Sequence, residues 1–190
     1  RQEAYYYMGS VYRDLNDYPN AVTYFLKSTE VAESNSDIDG ALWECTYSQL
    51  SYLYNQQFNY SSALDAAIKG LDIAEKFNTS NERTYINTST AYFESGDTTN
   101  ATTLCNKAIN NILGNGISKS NADIVSKAMY HYTITNQYLH AGLCYELLKS
   151  LPKNELPRNY IPNVAVYLER FVSADSAAIT MSELYETTNR

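Results

Sequence analysis

Three stretches of this chain, residues 2–28, 44–70 and 82–108, place the same kinds of residue at the same offsets. Counted from the first residue of each stretch, the fourth is Tyr5, Tyr47 and Tyr85, and the eighth is Gly9, Ser51 and Ser89. The eleventh is Tyr12, Tyr54 and Tyr92, and the twentieth is Ala21, Ala63 and Ala101. Self-similarity with a period of a few tens of residues constrains the fold more than local propensity does. Each repeat is one supersecondary unit that buries its apolar face only by stacking on its neighbours.

The offsets have a helical meaning. Large residues at four, seven and eleven (Tyr5, Met8, Tyr12; Tyr47, Leu50, Tyr54; Tyr85, Thr88, Tyr92) lie three and four apart and form one face of a 3.6-period helix. A second stripe at twenty, twenty-four and twenty-seven is mostly small: Ala21, Phe25, Ser28; Ala63, Ala67, Gly70; Ala101, Cys105, Ala108. Small residues let two antiparallel helices approach closely, while the tyrosines fill the space between successive pairs. The sixteenth place holds Asp17, Asn59 and Asp97, each able to accept a backbone N–H at the start of the second helix. Pro19 follows where its missing N–H costs nothing.

A large residue at four, a small one at eight, Tyr at eleven, Ala at twenty and a small residue at twenty-seven resemble the tetratricopeptide repeat. The resemblance covers three units. It departs from the family in having Tyr at the usual Trp-type fourth place, Thr88 for the usual Leu, and no terminal Pro. Units begin about 40 residues apart instead of about 34, as in the extended repeats of kinesin light chain. The resemblance implies an all-α fold, a right-handed α-solenoid of antiparallel helix pairs.

The expected organisation is one domain over 1–190, with units at about 2–35, 40–78 and 81–114 and an irregular fourth over 120–173. Between 120 and 150 only Gly142 interrupts the helical pattern, so one long helix is predicted, preceded by a turn at Gly114-Asn115-Gly116. On it, Tyr138, Ala141, Gly142 and Tyr145 keep first-helix offsets. Val164, Leu168 and Phe171 would form the second-helix stripe after a loop at 151–162 that contains Pro152, Pro157 and Pro162. A terminal helix is predicted over 174–187. The chain starts at Arg1 inside a repeat, which marks it as an excerpt, so a missing leader carries no information.

Charge and composition exclude several functions. A net charge of −7 argues against a nucleic-acid surface, which needs clustered Lys and Arg. No apolar run reaches the roughly 18 residues of a membrane span. Cys45, Cys105 and Cys144 have neither disulfide-framework nor zinc spacing and read as buried small hydrophobes. His131 and His140, nine residues apart on one predicted helix, point to opposite sides and cannot share a metal. Residues 114–120, GNGISKS, lack the glycine-to-lysine spacing of a phosphate loop. No enzyme activity, cofactor or metal is expected.

The family resemblance implies that first helices line a concave face at their second, fifth, ninth and twelfth residues. The candidate face comprises Tyr6, Ser10, Arg13, Tyr52, Asn55, Arg83, Ile86, Phe93 and, from the irregular unit, Leu139. Aromatic anchors along a groove suit an extended peptide or helix, so a protein or peptide partner is expected. The clamp that grips chaperone C-termini is not matched, since Tyr6, Ser10, Gln49 and Asn87 stand at its places and only Arg83 agrees.

Charged residues are only 18% of the chain while Tyr, Asn, Ser and Thr abound. That bias is similar to exported proteins of gut-type Bacteroidetes, implying an extracytoplasmic, periplasmic sensor of a larger regulatory protein. Glycan capture by an exported protein is the alternative, with Tyr6 and Tyr52 as the aromatic pair. Self-association through the array ends is another.

Overall fold

A computed structural model describes residues 1–35, 39–79, 81–175, 177–180 and 182. Among the described residues, nine α-helices have given bounds: α1 (Gln2–Asp14), α2 (Tyr18–Glu33), α3 (Gly40–Gln56), α4 (Tyr60–Lys76), α5 (Glu82–Glu94), α6 (Thr98–Asn115), α7 (Ala122–Ile134), α8 (Tyr138–Lys149) and α9 (Tyr160–Phe171). A single 3-10 turn, Lys153–Glu155, precedes α9, and no strand occurs among the described residues. The chain falls into two compact units, residues 1–101 and 102–190, where a single domain was expected.

One turn is built five times. The N–H of Asp17 donates to the carbonyl of Tyr12 at 2.9 Å, Asn59 to Tyr54 at 2.9 Å and Asp97 to Tyr92 at 2.9 Å. Gln137 donates to Tyr132 at 2.8 Å and Ser173 to Leu168 at 3.0 Å. In each case the alanine four residues on (Ala21, Ala63, Ala101, Ala141, Ala177) donates back to the same residue, opening the second helix. The residue before the cap is left-handed at Asn16 (φ 58), Phe58 (φ 58), Gly96 (φ 89) and Asn136 (φ 61), which reverses the chain in three residues. Asp17, Asn59 and Asp97 cap as expected, accepting from the N–H of Asn20, Ser62 and Asn100. The Asp97 carboxyl is held below its usual range chiefly by this backbone N–H, then by the Asn100 side chain.

The fourth and fifth turns correct the expected organisation of the second half. The predicted long helix over 120–150 is interrupted at Thr135–Gln137, so α7 and α8 are a helix pair in the same register as the first three. Tyr138, Ala141, Gly142 and Tyr145 therefore lie on a second helix. Val164, Leu168 and Phe171 lie on α9, which occupies a first-helix place ahead of the turn at Ser173. Pro162 is the third residue of α9, not part of the loop; its lack of an N–H is harmless in a first turn. Residues 174–175, 177–180 and 182 are helical, and the remainder of the predicted terminal helix lies outside the described residues. His131 and His140 sit on different helices, α7 and α8.

In residues 1–101, α1 packs on α2, α3 on α4, and α2 and α4 on the helices that follow them. The small-residue stripe closes these pairs: Ala21, Phe25, Ser28 and Ala63 are fully buried. A Cβ placed on Gly9 would lie 2.8 Å from the Phe25 ring, so α1 reaches α2 only because position eight carries no side chain. Ser89, the same place in the third unit, donates its buried hydroxyl to the carbonyl of Ala101 at 2.7 Å. Leu50 and Leu53 join Ala21, Phe25 and Tyr47 in one core. Thr88, which replaces the usual Leu, is buried and turns its hydroxyl to the carbonyls of Thr84 and Ala67. Met8 departs from the expected packing role and is 41% exposed.

In residues 102–190, α7 packs on α8 and α9. Tyr132 is buried and donates its hydroxyl to Oδ1 of Asn106 at 2.7 Å. Burial raises its pKa, and the neighbouring Cys105 and Cys144 add to the rise. Cys105 and Cys144 are buried, as expected of small hydrophobes, whereas Cys45 is exposed.

Candidate functional site

The candidate face in residues 1–101 is built on α1, α3 and α5. Tyr6 is half-buried, its ring 5.6 Å from Phe25 and 5.7 Å from Tyr7. Burial raises the Tyr6 phenol; the nearby Cys45 pushes the same way, and Arg13 and the Ser10 hydroxyl oppose it. Tyr6, Ser10, Arg13 and Cys45 are thus neighbours across α1 and α3. The Arg13 guanidinium lies 2.8 Å from Asp14 and also donates to Oε1 of Gln49 on α3.

Tyr52 is 48% exposed and is the open aromatic of the face. Tyr6 makes its ring contacts with Tyr7 and Phe25. Asn55 is half-buried, and its Oδ1 is buried without a hydrogen-bond donor. Arg83 is exposed at the start of α5 and Phe93 half-buried near its end.

Two of the expected face residues stand elsewhere. Ile86 is fully buried, so it packs the interior and presents nothing to a ligand. Leu139 is 68% exposed, but the break before Gln137 puts it on α8, a second helix, in the unit formed by residues 102–190.

One residue was missed from sequence. Glu44, in the second turn of α3, is 8% exposed. Its Oε1 accepts from the Ser48 hydroxyl at 3.0 Å and the Thr84 hydroxyl at 3.3 Å, while its Oε2 receives only the Cys45 thiol at 3.6 Å. Desolvation raises its pKa, and these three donors partly offset the rise. Burial and the adjacent Glu44 carboxylate push the Cys45 thiol up to about 11, which keeps it protonated at neutral pH. Glu44 occupies the first place of its repeat, where Gln2 and Glu82 stand in the neighbouring units, and nothing in that pattern singles it out.

Among the described residues no group of three or more His, Cys, Asp or Glu side chains converges as a metal site would require. No helix among them is long and apolar enough to cross a membrane.

Comparison with known proteins agrees with this architecture. Residues 1–76 match the family "Tetratricopeptide repeat". Among curated proteins none matches by sequence. Among solved structures the chain is similar to BtubC (BKLC) from P. vanneervenii, with 14% identity and a TM-score of 0.77 over 95% of this chain and 78% of that one. It is also similar to the nearly identical TPR-like repeats of a kinesin light chain candidate from Podosopora anserina, with 11% identity and a TM-score of 0.72 over 98% and 92%. The Rap conjugation gene regulator of the plasmid pLS20, solved in complex with the Phr* peptide, shares 14% identity and a TM-score of 0.67; 95% of this chain aligns with 51% of that one. Residues 1–76 therefore match the tetratricopeptide-repeat family, and the fold of the chain is similar to that of solved proteins with TPR-like repeats.

Proposed function

We propose that this chain is a non-catalytic binding scaffold whose first-helix face on α1, α3 and α5 receives a peptide or protein segment. The observation that carries this reading is the composition of that face. Tyr6, Tyr52 and Phe93 offer partly or well exposed aromatic surface, flanked by hydrogen-bonding groups of Ser10, Asn55 and Arg83. Aromatic anchors with polar neighbours are how a groove holds an extended segment, because a few desolvated rings supply most of the affinity and the polar groups set register. The peptide complex of the Rap regulator, a protein of similar fold, supports the reading. We include in the proposal a sensing role within a larger regulatory protein placed outside the cytoplasm, in keeping with the low charge content.

A display library of random peptides selected on the chain tests the proposal, with a Tyr52→Ala/Phe93→Ala variant run in parallel and its helicity checked by circular dichroism. The expected result is capture by the wild type and loss of at least about tenfold in affinity for the variant, the cost of two anchor side chains. Undiminished capture by a folded variant refutes the face, and no capture by the wild type refutes peptide binding.

A further inference from the structure

Glu44 poses a charge problem that the fold leaves unsolved. A carboxylate removed from water is costly unless it is paired with a cation or fully hydrogen-bonded. Glu44 has neither compensation in full. Its Oε1 takes the hydroxyls of Ser48 and Thr84, but Oε2 has only a thiol, a weak donor, at 3.6 Å. No described residue forms an ion pair with it. The under-served oxygen lies on the side of Cys45, which is exposed and belongs to the second place of the repeat, on the proposed binding face. Three helical turns further along α3, the Oδ1 of Asn55 is a second buried acceptor without a donor. Eleven residues at 3.6 per turn bring positions 44 and 55 to nearly the same side of the helix, about 16 Å apart. Along this line α3 carries two buried acceptors that are short of donors.

We propose that Glu44 is the counter-ion for a lysine or arginine side chain of a bound peptide, with Asn55 accepting an N–H of the same peptide further along α3. The occupant is thus a peptide carrying a basic residue. This rests on the peptide-binding reading above and specifies its partner. The ammonium or guanidinium donates to Oε2 beside Cys45, where the thiol gives way to a charge-assisted hydrogen bond of roughly twice the strength. A net charge of −7 favours the approach of such a ligand. Burial raises the Glu44 pKa, and a cation at Oε2 would act against that rise.

The test uses the same random-peptide selection on the full chain and on two variants. Glu44→Gln keeps the volume and the acceptor for Ser48 and Thr84 but removes the charge. Ser48→Lys places an ammonium one helical turn from Glu44, so that the chain supplies its own counter-ion. The expected result is enrichment of Lys or Arg at one position in peptides captured by the wild type and its absence from those captured by either variant. A selected peptide resynthesised with norleucine at the basic position is expected to lose at least about tenfold in affinity for the wild type and little for Glu44→Gln, a coupling that misfolding does not imitate. Peptides captured without basic enrichment, or a norleucine effect equal in wild type and variant, overturn the role of Glu44 while peptide binding stands. Capture of no peptide at all by the wild type overturns both.

Discussion

His131 provides a quantitative test of how deeply the second unit is packed. It lies on α7, is 7% exposed, and burial lowers its pKa from 6.5 to about 4, with Lys127 one turn away adding to the shift. The folded pKa lies below the unfolded one, so the unfolded chain takes up the proton more readily. Stability contributed by this group is therefore complete above pH 6.5 and is lost as pH falls from 6.5 towards 4. Linkage between those two values removes about 2 kcal/mol by a pH of about 5 and about 3 kcal/mol once both states are protonated. Losses of that size are a large part of an ordinary domain's stability. Urea denaturation followed by far-ultraviolet circular dichroism, run on wild type and His131→Gln between a pH of about 7.5 and 5, isolates the term, since carboxylate contributions are common to both proteins. The wild-type advantage over the variant is expected to shrink by about 2 kcal/mol across that interval. A difference that stays constant would refute the burial of a neutral imidazole.

Two substitutions test the repeated turn and the helix contact it serves. Gly9→Ala drives a methyl group to within 2.8 Å of the Phe25 ring, which is fully buried and has nowhere to swing; a net loss of about 1–2 kcal/mol is expected after the gain in helix propensity, and a higher melting temperature would refute the close approach of α1 and α2. Phe58→Asn places at φ 58 the residue type that the first and fourth turns use, while the ring it removes is 78% exposed; the melting midpoint should rise, by about 1 kcal/mol of stability, and a fall would show that the Phe58–Tyr60 ring contact outweighs the backbone cost.

Much of the fold was legible because the repeat is written twice over, in its apolar face and in its turn. The cap at Asp17, Asn59 and Asp97 could be read directly, since these side chains are good N-caps wherever they stand. The fourth and fifth turns escaped because Gln137 makes no side-chain cap bond and Ser173 precedes a segment that lacks a regular stripe. The clue that survives in them is the nine-residue spacing from the closing carbonyl to the alanine, Tyr132 to Ala141 and Leu168 to Ala177, the same as Tyr12 to Ala21. Helical propensity across 120–150 is nearly unbroken, and a single left-handed Asn136 overrides it.

The candidate face divides in the same way. Tyr6, Ser10, Arg13, Tyr52, Asn55, Arg83 and Phe93 lie on the first helices α1, α3 and α5, the places that the repeat resemblance implies for them. Ile86 and Glu44 could not be placed, since periodicity says which side of α5 or α3 a residue occupies and not whether a neighbouring helix covers it. Sequence by itself determined the helix period, the small-residue stripe and the capped turns, all of which depend on residues near one another in the chain. Only tertiary structure decided that Ile86 is core, that Leu139 belongs to a second helix, and that the carboxylate of Glu44 on α3 takes the Thr84 hydroxyl of α5. Burial and desolvation depend on neighbours some forty residues away, and those distances are set by packing, not by any local pattern.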